Sequence, residues 1–142
     1  MKSLCATIVC FRLGTIVAVA GGTATIEGSW TATGGSDDGK KIPPGALDKL
    51  MMVFVFQNDD HYTVSIMGKE VEKGTYTINP KMKPIGIYLR VLEGKDKGKL
   101  PTGIFEVEND VLTMAFVPGS KARPKTFDPA AGVEVRVLKR NK

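Results

Sequence analysis

The single histidine, His61, bounds the acid–base and nucleophilic chemistry open to this chain. A Ser–His–Asp triad or a histidine general base would have to include it. It follows Asn58-Asp59-Asp60 and lies on the polar side of the alternating run that begins there, which reads as a solvated hairpin residue. One histidine also excludes a multi-histidine metal site. A carboxylate set of Asp59, Asp60 and Asp37 or Asp38 would suit calcium at best, and the DxDxDG loop is absent. Both cysteines, Cys5 and Cys10, fall within the first ten residues, so thiol catalysis, structural zinc and a disulfide framework find no thiol in the rest of the chain. Glu70/Glu72 and Glu106/Glu108 each place two acids one residue apart, about 6.5–7 Å along an extended strand. Glycoside hydrolysis uses carboxyl pairs at such separations, but any solvated strand face produces the same spacing. The glycines form neither a phosphate loop nor a nucleophile elbow. The expectation is a protein without catalytic residues, metal or cofactor.

What remains is a set of apolar residues and the elements that carry them. The chain has 142 residues, 42% of them hydrophobic and 25% charged, which is one domain of ordinary globular composition. Residues 1–12 contain Lys2 and Arg12 and no acid; an apolar stretch follows from Leu13 to Ala20, then Gly21-Gly22-Thr23-Ala24. A positive segment, a short apolar core and small residues at the −3 and −1 positions form a secretory signal peptide, 1–20, with cleavage after Ala20 or Ala24. The stretch is too short and too interrupted by Arg12 for a membrane anchor. The expected location is therefore secreted or periplasmic, with no stable membrane insertion after cleavage.

Cleavage after Ala20 would leave 18 basic and 15 acidic residues, a formal charge of +3. The basic residues are spread along the chain without a focused patch of interleaved aromatics, which argues against nucleic-acid binding. Past residue 25, turn signals recur at short intervals between alternating segments, the rhythm of an antiparallel all-β protein. Eight strands are expected, at 26–33, 51–56, 61–67, 70–78, 85–92, 102–108, 111–117 and 133–138. A short helical turn falls near 43–50, opened by Pro43-Pro44, and a long Pro-containing loop covers 118–132. Eight consecutive strands can close, fully or in part, into an up-and-down barrel, with a sandwich as the competing architecture.

Gly28-Ser29-Trp30 at the head of the first strand, with Lys139-Arg140 at the end of the last, resembles the lipocalin-like (calycin) signature. In that superfamily the Trp closes the barrel floor and a late Arg or Lys packs over its ring. Arg140 is the candidate here and Lys139 the alternate, a cation–π contact of about 0.5–2 kcal/mol. Asp38-Gly39-Lys40-Lys41-Ile42-Pro43-Pro44, Gly103-Ile104-Phe105-Glu106, Arg123-Pro124 and Val137-Leu138-Lys139-Arg140 look like the small exported lipocalin-like domain abundant in planctomycete-type bacteria. The resemblance spans 26–140. It departs from that pattern at Gly34-Gly35-Ser36, where larger apolar residues are usual, so a short first strand and a less complete wall are expected.

The resemblance implies binding of a small apolar molecule inside the barrel, or in some branches inhibition of a protein through surface loops. Phe54, Phe56, Tyr62, Val64, Ile66, Tyr76, Leu89, Phe105, Met114 and Phe116 are the candidate ligand-binding residues, with Tyr62 or Tyr76 as a polar handle. The same side chains would equally fill a closed core. In the first case the partner is a small apolar molecule met by a monomer. In the second, the 118–132 loop and the hairpins meet a protein.

Overall fold

The computed structural model describes residues 25–119 and 121–142, so the expected signal peptide and both cysteines lie outside the described residues. From Gly28 the chain forms a meander. The first strand is β1 (Gly28–Asp37), which turns back on itself through the two-residue β2 (Lys40–Lys41) and leads into the single helical turn α1 (Ala46–Leu50). Then follow β3 (Met52–Phe56), β4 (His61–Ile66), β5 (Lys69–Asn79), β6 (Ile85–Gly94), β7 (Thr102–Glu108), β8 (Val111–Val117) and β9 (Glu134–Arg140). Each strand pairs antiparallel with its neighbour, and β9 pairs with β1, so eight strands form a closed up-and-down barrel with β2 as an added flap. No helix among the described residues is long and apolar enough to cross a membrane.

Closure decides which side chains face inward. β9 runs alongside β1 from Glu134 opposite Asp37 to Arg140 opposite Trp30, with a bulge on β1 between Ala32 and Gly34. The first strand is thus ten residues long, and the wall expected to be incomplete is closed. Gly34-Gly35 accounts for this. A Cβ at Gly35 would fall on the Val135 carbonyl, so only glycine lets the two backbones pass at this separation. The extra residue at the bulge reverses the alternation, placing Asp37 on the same face as Trp30 and Ala32.

At the opposite end of that seam the barrel floor is sealed. Trp30 is fully buried and donates its indole N–H to the Ile26 carbonyl at 2.8 Å. The Arg140 guanidinium lies 4.2 Å from the centre of the indole ring. It also donates to the carbonyls of Glu27 (2.9 Å) and Thr25 (3.1 Å) and to Asp110 Oδ1 (3.2 Å). Gly28 adopts φ +128°, and a Cβ there would sit 2.6 Å from Arg140 Nη1. The glycine leaves room for the cation that covers the tryptophan.

The lower half of the interior is filled. Phe56 stacks on Tyr62 and meets Tyr76 edge to face at 5.2 Å, and Ile87, Phe105, Leu112 and Leu138 complete the layer. A smaller cluster lies outside the barrel, where Phe127 and Val133 of the β8–β9 loop pack on Ile104, Ala115 and Val135. Arg123 holds this loop down, lying 4.4 Å from the Tyr88 ring centre and donating to the Gly103 carbonyl at 3.1 Å.

Arg140→Ala should lower the free energy of unfolding by about 2–3 kcal/mol, from the lost cation–π contact and charged hydrogen bonds. Arg140→Lys should recover less than half of that, because an ammonium can lie over the ring but cannot span both carbonyls. Urea unfolding of the three proteins checks the order.

Candidate functional site

The functional candidate is the end of the barrel away from Trp30. A cavity of about 370 Å³ opens there. Phe54, Val64, Ile66, Leu89, Met114 and Phe116 line it, joined by Met52, Val71, Val91 and Pro101, which sequence reading did not single out. The other candidates lie elsewhere: Phe56 and Tyr62 belong to the packed interior, and Tyr76 and Phe105, part of the same core, also border a second opening of about 630 Å³ at the floor end beside Ile26, Ile78 and Ile85. The set is therefore divided, some lining a space and some filling one. Outward, the cavity continues past Asp96, Pro101, Phe116, Glu134 and Arg136 into a groove of about 840 Å³ between the β6–β7 loop and the ends of the β8–β9 loop.

Neither proposed tyrosine handle is free. The Tyr76 hydroxyl donates to the Gln57 carbonyl at 2.6 Å, and burial pushes its pKa up to about 12. The Tyr62 hydroxyl donates to Glu72 Oε2 at 2.8 Å, and burial followed by the Glu72 carboxylate raises its pKa far above the ordinary range. The polar groups that meet the cavity are instead Glu72, Lys95, Asp96, Glu134 and Arg136.

Glu72 keeps the inward face of Tyr76, and a second bulge separates it from Glu70. β4 and β5 pair Val64 with Glu72 but Ser65 with Glu70, leaving Val71 as the inserted residue. Glu70 then faces solvent beside Lys73 (3.9 Å), while Glu72 turns inward, half-buried. The expected solvated Glu70/Glu72 face is thereby broken up. Glu106 and Glu108 do remain exposed. Burial is the main cause that raises the Glu72 pKa above its ordinary 4.5; the Tyr62 hydrogen bond opposes it, and Asp96 and Glu134 add to it.

β9 delivers the rest. Arg136 shares the inward face with Leu138 and is only 8% exposed. Its Nη1 donates to Asp37 Oδ1 at 2.8 Å, its Nη2 lies 3.4 Å from Glu134 Oε2, and its buried Nε has no partner. Glu134 stands at the rim with a side chain 54% exposed. Desolvation is the first cause raising its pKa; Arg136 opposes it, and Asp37 and Asp96 reinforce it. Solvent at the rim screens much of this effect.

His61 is exposed at the floor end, 3.3 Å from Asp59. Asp59 and Asp60 lie in the β3–β4 loop at that end, whereas Asp37 and Asp38 lie at the mouth, so the carboxylate set considered for calcium is split between the two ends of the barrel. Among the described residues no three His, Cys, Asp or Glu side chains group as a metal site. No protein-family model and no curated protein matches the chain.

A carboxyl whose pKa is raised by folding costs stability when ionised. That cost is absent below its unfolded pKa and complete above its folded one. Glu72→Gln keeps an acceptor for Tyr62 and removes the charge. It should therefore raise the melting temperature by a few degrees at pH 8, with the gain disappearing by pH 4. Thermal unfolding at the two pH values checks the sign.

Proposed function

We propose that the chain is an exported, monomeric, lipocalin-like binding protein, non-catalytic, that takes up one small molecule with an apolar body and a protonated amine or similar donor end. The observation that carries this reading is the placement of Glu72, Asp96 and Glu134 on a single cavity whose other walls are largely apolar. Arg136 is already engaged with Asp37 and Glu134. Glu72 spends Oε2 on Tyr62, and its other oxygen makes no side-chain hydrogen bond among the described residues. Asp96 pairs with Lys99 at 3.3 Å and Lys95 acts on Glu134, so Glu72 is the carboxyl left without a cation. A desolvated carboxylate gains more from a ligand ammonium than one in water does. The volume lies within the lower part of the range common for small-molecule sites. The Lys2-to-Ala24 segment and the resemblance to an exported domain support the location.

The same two raised carboxyls are what acid–base hydrolysis of a glycoside would use. The apolar walls and the distant His61 favour binding over turnover, but the carboxyl pair makes hydrolysis the second reading.

Calorimetric titration with decylammonium, decanol and decanoate tests both. Decylammonium should bind tightest and decanoate weakest. Glu72→Gln combined with Glu134→Gln should weaken decylammonium about tenfold, roughly 1.4 kcal/mol, and leave decanol unchanged. Val64→Trp should abolish all binding by filling the cavity. Equal binding to wild type and Val64→Trp would overturn the site. Turnover of p-nitrophenyl glycosides that disappears in Glu72→Gln would replace the binding reading with the hydrolytic one.

A further inference from the structure

Exposed apolar side chains are distributed unevenly over this barrel. Among the described residues, the large hydrophobics left exposed are Leu50, Met51, Met67, Val71, Leu92, Leu100 and Tyr88. Strand direction places all but Tyr88 at the open end, and Tyr88 lies beneath Arg123. Met51 and Met67 are the most prominent, 59% and 68% exposed, and they are neighbours in space because Met67 N–H donates to the Leu50 carbonyl at 3.0 Å.

Their backbone makes the choice of residue informative. Met51 has φ +48° and Met67 φ +54°. Left-handed turn positions favour Gly, Asn or Asp, which avoid or offset the Cβ penalty. Methionine gains nothing there from local geometry or from burial. Two flexible, polarisable side chains held out on strained turns fit a contact made with something outside the protein.

Charge says what that something is. The turns and strand ends at the open end, other than the long loop folded down the wall, carry Lys40, Lys41, Lys49, Lys69, Lys95, Lys97 and Lys99. Of the acids there, Asp37 and Glu134 pair with Arg136, Glu70 and Glu93 with Lys73, and Asp96 with Lys99, which leaves Asp38 and Asp48. Only Lys99 of the seven makes an ion pair among the described residues, with Asp96 at 3.3 Å. Apolar tips surrounded by unpaired lysines are complementary to a bilayer with anionic headgroups, where the lysines meet phosphates and the tips enter the acyl boundary.

We infer that the open end of the barrel docks on anionic lipid membranes, with Met51 and Met67 inserted at the headgroup level and Lys69, Lys95 and Lys97 on the lipid phosphates. Docked this way, the cavity mouth faces the bilayer, so a ligand dissolved in lipid reaches the barrel without crossing water. The membrane contact does not depend on what the cavity binds.

Co-sedimentation of the mature chain with vesicles, without added ligand, tests it. Binding is expected to vesicles of phosphatidylcholine with 30% phosphatidylglycerol and to be at least tenfold weaker to phosphatidylcholine alone. Met51→Asn/Met67→Asn, which suits the left-handed backbone, should weaken binding to the anionic vesicles at least fivefold with an unchanged melting temperature. Lys95→Gln/Lys97→Gln should weaken it similarly and flatten its salt dependence, and Lys81→Gln/Lys83→Gln should have no effect. No binding of wild type to anionic vesicles would overturn the inference, as would equal losses at the two ends. So would a dimer that dissociates in the methionine variant, because the patch would then belong to a second copy of the chain.

Discussion

The seam between β9 and β1 is the constraint from which the rest of the molecule follows. A meander of strands has two edges, and an edge exposes unpaired N–H and C=O groups. Here the last strand removes both edges by pairing with the first along its length. Two of the three glycines on β1 are needed for different reasons. Gly35 lets the backbones pass at the mouth, and Gly28 admits the Arg140 guanidinium at the floor. With the indole of Trp30 covered on that side, the floor half packs as an aromatic core, and the cavity that meets Glu72, Glu134 and Arg136 lies at the other end.

The same seam explains why that space is charged. The bulge on β1 turns Asp37 inward beside Arg136, and the alternation of β9 brings Arg136 and Glu134 in above Leu138. Burying an arginine is tolerable only with partners, and Asp37 and Glu134 supply them. Glu72 has Tyr62 as its one side-chain donor, and Asp96 and Glu134 press on it. An apolar pocket with surplus carboxylate is less stable empty than it would be with a cation in it.

Much of the architecture was legible in the residues. Alternation and turn spacing gave eight strands, and the helical turn falls at Ala46–Leu50, inside the expected 43–50. Trp30 and Arg140 were readable as a pair through the resemblance of Gly28-Ser29-Trp30 and the late Arg140 to the lipocalin-like signature. The mouth was not legible, for two physical reasons. Each bulge adds one residue and reverses the faces beyond it, so Asp37 seemed to belong outside, and Glu70 and Glu72 seemed to share one solvated face. At and just before β9, Val133, Val135 and Val137 look like the buried set, yet Val133 belongs to the outer loop and packs with Val135 outside the barrel, while Arg136 faces in. A signal was available in the parity of Glu72 with Tyr76 and Ile78, and of Arg136 with Leu138, for a reader willing to place charge inside a barrel.

That the barrel is closed at the indole end and receives its ligand at the carboxylate end is tested most directly by amide chemical shifts on adding decylammonium to isotope-labelled protein. Shifts should concentrate at Glu72, Asp96, Met114, Phe116 and Glu134 and leave Trp30, Tyr76 and Asp110 in place. Shifts confined to the Trp30 end, or scattered over the outer wall around Phe127, would contradict the account.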